Sequence, residues 1–208
     1  MTPPPIPPRL ARLPELARDL WWTWNAGRDV FRRLDYGLWR QTVHNPVMVL
    51  HLVSAETLER AAADPAFLAA YDAALASRDA MRASSATTWW HERLGTTSSN
   101  VVAYFCAEFA LHQSLPIYAG GLGVLAGDHC KEASDLGVPL VGVGFMYPQG
   151  YFRQRISPEG WQQEIYERLN WTDAPIDRAM LPDGRPCVVA VPLGNRSVLA
   201  SVWLVRLG

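Results

Sequence analysis

Lysine is nearly missing from this sequence: Lys131 is the only one, and every other member of its 19 basic residues is arginine. Any chemistry that needs an amine condensing with an aldehyde therefore has a single candidate in the chain. Cysteine is scarce as well. Cys106, Cys130 and Cys187 are odd in number, far apart and form no CxxC pair, which argues against a zinc centre or a disulfide framework and fits a reducing, cytoplasmic compartment. No apolar run reaches the length of a membrane span, and the proline-rich start has no apolar segment of the kind a secretory signal needs. Neither sign of charge dominates, with 19 basic against 20 acidic residues, so no polyanion-binding surface and no nucleic-acid partner is expected. A serine-hydrolase elbow, a zinc-binding helix motif and a P-loop are all absent. The acidic residues show no pairing suited to glycoside hydrolysis.

What is present is enough for a packed core. Of the 208 residues, 49% are hydrophobic and nine are tryptophan, so disorder is not expected. Residues 1–8 form a proline leader, predicted to be extended and mobile. Leu10, Leu13, Leu16, Leu20 and Trp24 recur at helical spacing, with Pro14 placed to open a regular helix. Helices are predicted around Val30–Leu34, Ala55–Ala63 and Pro65–Arg93, the last capped by Asp64. Residues 9–94 thus read as a helical domain. The polar stretch Gly95 to Asn100 marks a boundary, and a different pattern fills 100–208. Val101–Phe109 is a strand, His112–Ala119 a loop, Val124–Leu136 a helix closed by Gly137. Val138–Met146 has the unbroken apolar character of a parallel strand buried on both faces. Together they predict a βαβ unit and an α/β fold class. Tyr151–Ile156 is a short strand, Asp183-Gly184 a turn, and Cys187–Leu193 with Val198–Leu207 a hairpin around Gly194-Asn195.

The glycine-rich turn Gly120-Gly121-Leu122-Gly123 is the strongest chemical signal. At a helix start, glycines remove side chains that would block a ligand. The first amides of the helix are unpaired and the dipole adds positive charge, so the place suits a phosphate or a polarised sugar oxygen. A tight strand-to-helix turn without a ligand accounts for the same residues equally well. A dinucleotide site does not fit: roughly ten loop residues separate the turn from the preceding strand, and the next strand ends without an acid. Glu108, near the end of the first strand, either faces a ligand crevice or is a solvated loop acid. Asp128 and His129, in the early helix, either reach a ligand or are simply polar surface residues, with the second reading favoured. Trp21, Trp22, Trp24, Trp89 and Trp90 are expected to pack as core rather than as a sugar platform. Arg153 and Arg155 are expected on a surface strand, where one arginine can meet an anion.

Taken as a pattern, these residues resemble a known family. Ala107-Glu108-Phe109, Pro116-Ile117-Tyr118-Ala119 with the glycine turn, Gly127-Asp128-His129, Ser134-Asp135-Leu136-Gly137-Val138-Pro139, Gln149-Gly150-Tyr151-Phe152-Arg153-Gln154 and Gly160-Trp161-Gln162 are similar to the bacterial and archaeal branch of the α-glucan phosphorylases. Leu20-Trp21-Trp22-Thr23-Trp24-Asn25 and His44-Asn45-Pro46 resemble the uncharacterised helical domain (DUF3417-like) that precedes the catalytic lobe there. The resemblance implies two Rossmann-like lobes around a cleft, of which this chain would hold the beginning of the first. It implies pyridoxal 5′-phosphate as cofactor, used through its phosphate to give and take a proton. The partners it implies are an α-1,4-glucan, inorganic phosphate and glucose 1-phosphate, in a reversible, retaining reaction. Backbone amides of Gly120, Gly121, Leu122 and Gly123, and the Glu108 carboxylate, would then line the substrate site. Where another branch of the family carries an aromatic neighbour of the cofactor, this chain has Ala110. Lys131 does not match the lysine that carries the cofactor, so this piece by itself is expected to be inactive. Two other readings stay open: a non-catalytic glucan- or phosphate-binding module, and a starch or glycogen synthase-like transferase, which also uses such a glycine turn. Self-association of a longer protein is left open.

Overall fold

A computed structural model of the chain describes residues 3–25, 27–83, 88–95, 101–166 and 168–208. Its first part is helical: α1 Leu13–Arg18, α2 Arg28–Leu34, α3 Tyr36–Gln41, α4 Pro46–Leu52, α5 Ala55–Ala63, α6 Pro65–Ala83 and α7 Trp89–Leu94. Several of these helices begin on a residue built for the purpose. Asp35 accepts from the Leu38 amide at 2.9 Å, Ser54 from Thr57 at 3.1 Å and Asp64 from Ala66 at 2.9 Å. Asn45 accepts from both Val47 and Met48. Each such cap stabilises its helix by about 1 kcal/mol. Pro14, Pro46 and Pro65 sit in first turns, where a missing N–H costs nothing.

Three expectations need correction here. The leader is extended but docked, with Pro7 buried and Ile6 packed against the core. The run predicted as one helix from Pro14 to Trp24 breaks at Asp19, whose backbone is extended before a 3-10 turn over Leu20–Thr23. The single helix predicted over Pro65–Arg93 is two: α6 ends at Ala83, residues 84–87 lie outside the described set, and α7 starts after an extended Thr88. The predicted boundary also falls largely outside it, at residues 96–100.

The break at Asp19 has a physical cause. Its carboxylate is fully buried and takes four donors: Arg78 Nε at 2.7 Å, Arg82 at 3.1 Å, the Trp21 amide at 3.1 Å and the Gly208 amide at 2.9 Å. The extended backbone at Asp19 makes a parallel bridge with Arg206, and the Leu20 amide donates to the Arg206 carbonyl at 2.8 Å. Arg78, itself buried, also donates to Glu15 at 2.7 Å. Burial opposes the Arg78 charge, but its bonds to Glu15 and Asp19 outweigh that and raise its pKa. Hydrogen bonds from Arg12 and then Arg78 hold the Glu15 carboxyl down at about 2. Around this ion pair pack Leu10, Leu13, Leu16, Leu20, Trp21 and Trp22, and Trp22 lies edge-on to both Phe31 and Trp39.

The second part is mixed α/β. Strand β1, Val102–Phe105, pairs in parallel with β2, Leu140–Val143, and α8, Gly121–Asp135, connects them. Antiparallel pairs follow: β3 Arg153–Ile156 with β4 Gln162–Ile165, β5 Asp177–Arg178 with β8 Trp203–Leu204, and β6 Val188–Leu193 with β7 Arg196–Ser201. The hairpin turns at Gly194-Asn195 as expected, but its second strand ends at Ser201 and the chain crosses to β5. The Val138–Met146 run is strand only over Leu140–Val143, and it is not buried: Val141 is 52% and Phe145 68% exposed. A parallel strand is covered only when layers lie on both faces; here one helix and one partner strand flank it. Phe109, Leu111, Leu115, Ile117, Ala174 and Ile176 join the helical residues in one continuous core. No helix among the described residues is long and apolar enough to cross a membrane.

Asp19→Ala should destabilise the protein by about 3–5 kcal/mol, because it strands a buried guanidinium and two amides. A urea midpoint unchanged from wild type would show that the pair is dispensable.

Candidate functional site

The glycine turn is built by the loop that runs from β1 to α8. That loop is pinned at both ends: the Phe109 amide donates to Ile117, and the Ala110 amide to Gly123, at 3.1 and 2.8 Å. Tyr147 holds the other flank by donating to the Ala107 carbonyl at 3.1 Å. Helix α8 starts at Gly121, three residues before the predicted start, so the turn forms its first residues. Gly137 follows the helix with φ +71°, the left-handed residue its end requires. At its far end, Asp135 accepts from the Trp24 indole at 3.1 Å and the Leu136 carbonyl from the Trp90 amide. Trp24 is partly buried against the core, while Trp89 is 48% exposed and not core. Trp21 and Trp22 are buried, as expected of core residues.

Glu108 faces the turn. Its Oε2 accepts from the amides of both Ala119 and Gly120, the latter at 3.2 Å. The Gly120 amide is thus already partnered by the chain's own carboxylate. No side chain caps the helix itself, and the first intrahelical bond runs from Val124 to the Gly120 carbonyl. Among the described residues the amides of Gly121, Leu122 and Gly123 have no partner, and neither does Glu108 Oε1. The arrangement offers three donors with the helix dipole behind them and one charged acceptor beside them. It can grip a molecule that carries both hydroxyls and an oxyanion, with the hydroxyls on the Glu108 side and the anion displaced from it.

The glycines divide into two roles. A methyl on Gly120 or Gly121 would meet nothing within 4 Å, so both leave open space in front of the turn. A methyl on Gly127 would come within 2.2 Å of the Ala110 carbonyl oxygen, and one on Gly123 within 2.7 Å of Tyr118 Cβ. Those two let α8 lie directly on the Glu108 loop. Neither Gly120 nor Gly121 has a positive φ, so their value is space rather than backbone freedom. Asp128 and His129 are exposed, with the His129 ring 4.8 Å from Tyr104 of β1. Seven residues of helix put Asp128 about 10 Å along the axis from Gly121. Lys131 is about 15 Å along it, close enough to His112 to disfavour that ring's protonation. Arg153 and Arg155 lie on the exposed β3, paired across to Ile165 and Gln163.

His112, in the same loop, was not singled out from the sequence. Burial, helped by His44 and Lys131, lowers its pKa to about 4. Its Nδ1 accepts from the Ser114 amide at 3.2 Å, so the neutral ring carries its proton on Nε2. Little in the sequence signalled it in advance, since His112 opens a loop whose next residues, Gln113 and Ser114, are also polar.

Against known proteins, the family model described as "Protein of unknown function (DUF3417)" matches residues 6–115. The chain is 40% identical over 210 residues to a glycogen phosphorylase of Mycobacterium tuberculosis, covering 98% of this chain and 24% of that protein. It is 38% identical to a glycogen phosphorylase of Aquifex aeolicus, covering 93% and 27%, and 36% identical to a maltodextrin phosphorylase of Thermococcus litoralis, covering 98% and 24%. The chain spans about a quarter of the length of these relatives. No solved structure matches it.

Gly127→Ala should cost about 1–3 kcal/mol through overpacking, whereas Gly121→Ala should leave stability unchanged or raise it by up to about 1 kcal/mol; thermal unfolding of the two variants distinguishes them. The low His112 pKa also sets a pH dependence. The unfolded chain takes up a proton near 6.5 that the folded chain refuses until about 4, so this contribution is intact above 6.5 and lost as pH falls through that window. Between pH 7 and pH 4.5 wild type should lose about 2–3 kcal/mol more than His112→Asn, measured by urea titration at each pH.

Proposed function

The chain belongs to the DUF3417 family, and from that premise we propose that it is the amino-terminal part of an α-1,4-glucan phosphorylase. The reaction would be cleavage of a terminal glucose by inorganic phosphate, giving glucose 1-phosphate and a shorter glucan. One observation carries the reading: three unpartnered amides at the head of α8, with open space before them and a carboxylate at their side. In the proposed role Gly121, Leu122 and Gly123 donate to the phosphate, or to the oxygen that gains charge as the glycosidic bond breaks. Glu108 Oε1 accepts a sugar hydroxyl, while Oε2 holds the Ala119 and Gly120 amides so that the turn keeps its shape. Asp128 and His129 would lie outside first contact, on the exposed face of the helix.

The βαβ unit β1–α8–β2 would be the start of a Rossmann-like lobe, preceded by a helical domain over 9–94. The bare apolar residues Val141, Val143 and Phe145 on and beyond β2 support continuation of that sheet by further layers. Catalysis would be cytoplasmic.

Pyridoxal 5′-phosphate is the cofactor implied by the family, and the residues here do not fit it. Lys131, the sole lysine, stands about 15 Å along α8 from the turn. The chain supplies no anchor for an aldehyde, so no step of its own chemistry runs through that group.

In the intact protein encoded by its gene, Gly121→Val should fill the space before the amides and lower phosphorolysis of a maltooligosaccharide by about two orders of magnitude, with the fold retained by circular dichroism. Unchanged release of glucose 1-phosphate would reduce the turn to a structural element. The 208-residue chain mixed with pyridoxal 5′-phosphate should show no lysine-dependent shift in absorbance; a shift removed by Lys131→Ala would contradict the assignment.

A further inference from the structure

A second site lies away from the glycine turn, in a cleft of about 430 Å³ between the helical front and the His112 loop. Three arginines line it, Arg28 and Arg32 from α2 and Arg40 from α3, against one carboxylate, Asp29. Arg32 is 3.5 Å from Asp29. The Arg28 and Arg40 side chains have no hydrogen bond or ion pair among the described residues, in a chain whose overall charge is −1. Two uncommitted guanidiniums facing one hollow form a receptor for a tetrahedral dianion, since each offers a fork of donors matched to phosphate oxygens.

Two further observations point the same way. Among the described residues the buried Trp22 indole N–H and Thr23 hydroxyl have no partner, and both residues line this cleft. Trp22 is fully buried. Buried donors without partners are rare, and these two belong to residues in the wall of one hollow. The backbone beside them is also strained. Val43 and His44 have φ of 52° and 62°, although a β-branched residue in that region is an outlier. They close α3, with the Val43 amide bonded to Arg40 and the His44 amide to Trp39, in the arrangement where glycine is usual. The strained turn sets His44 against the Trp39 ring at 5.0 Å and lets Gln113 reach His44 Nδ1 at 2.7 Å. Strain held in this way is typical of ligand-binding positions. The exposed Tyr36 ring stands at the cleft as an apolar surface for the remainder of the ligand.

We infer that this cleft binds a small phosphate monoester, its phosphate on Arg28 and Arg40 and its organic part against Tyr36. The site is independent of the proposed reaction at the glycine turn. Calorimetric titration of the 208-residue chain tests it, with phenyl phosphate and inorganic phosphate as probes. Phenyl phosphate should bind with a dissociation constant below about 1 mM at a site retained in Gly121→Val, and inorganic phosphate at least about threefold more weakly there, for want of the ring contact. The double variant R28Q/R40Q should weaken phenyl phosphate by about tenfold or more, and Gly121→Val should leave it unchanged. Both arginines are exposed, so the double variant is expected to fold; should it not, Tyr36→Ser replaces it and should abolish the preference for phenyl phosphate over phosphate. No saturable binding up to about 10 mM, binding indifferent to both arginines, or binding lost in Gly121→Val but kept in R28Q/R40Q would overturn the assignment.

Discussion

A carboxylate with no access to water organises this molecule. Asp19 cannot be solvated where it lies, so it must be satisfied by donors from the chain: the neighbouring Trp21 amide and, from residues distant in sequence, Arg78 and Arg82 on α6 and the Gly208 amide. The extended geometry that ends α1 at this residue also presents Leu20 to the carbonyl of Arg206. One interaction therefore stops a helix, ties two helices together and fastens residues 206–208 to the first helices. A buried ion pair of this kind contributes little net stability, but removing one partner is expensive. Satisfying it requires α1, α6 and residues 206–208 to meet at Asp19.

With that frame in place, α8 sits at a set height above the Glu108 loop. Gly123 and Gly127 decide how closely it approaches, because a methyl at either position would strike Tyr118 or the Ala110 backbone. The approach brings the Glu108 carboxylate to the amides of Ala119 and Gly120, while the next three amides stay open. Partial self-neutralisation follows. The turn is less positive than a bare helix start, and its two halves differ in what they can bind. A molecule bearing both hydroxyls and phosphate matches such an asymmetric site better than a free anion does.

The arginine cleft follows from different physics. Arg28 and Arg32 share a helix face by their four-residue spacing, which is visible in the sequence once the helix is known. What brings Arg40, His44 and Gln113 to that face is the strained end of α3 and the packing of the His112 loop on Trp22. The unpartnered Trp22 and Thr23 donors arise only from that packing.

Local pattern alone determined the cap at Asp64, the helices α2 and α5, the parallel βαβ unit, the turn at Gly194-Asn195 and the start of a helix at the glycine turn. Those features depend on neighbours within a few residues, where periodicity, capping and turn chemistry act. The family was legible for the same reason, since its signature residues are contiguous. Tertiary structure decided the rest. A fully buried Asp19 interrupts a run whose hydrophobic spacing asks for one helix. The anchored leader, the bare face of β2 and the exposed Trp89 depend on which surfaces happen to be covered, and spacing does not report coverage. Glu108 presented two readings in the sequence; its place on the Ala119 and Gly120 amides was settled by how closely two glycines let a helix descend.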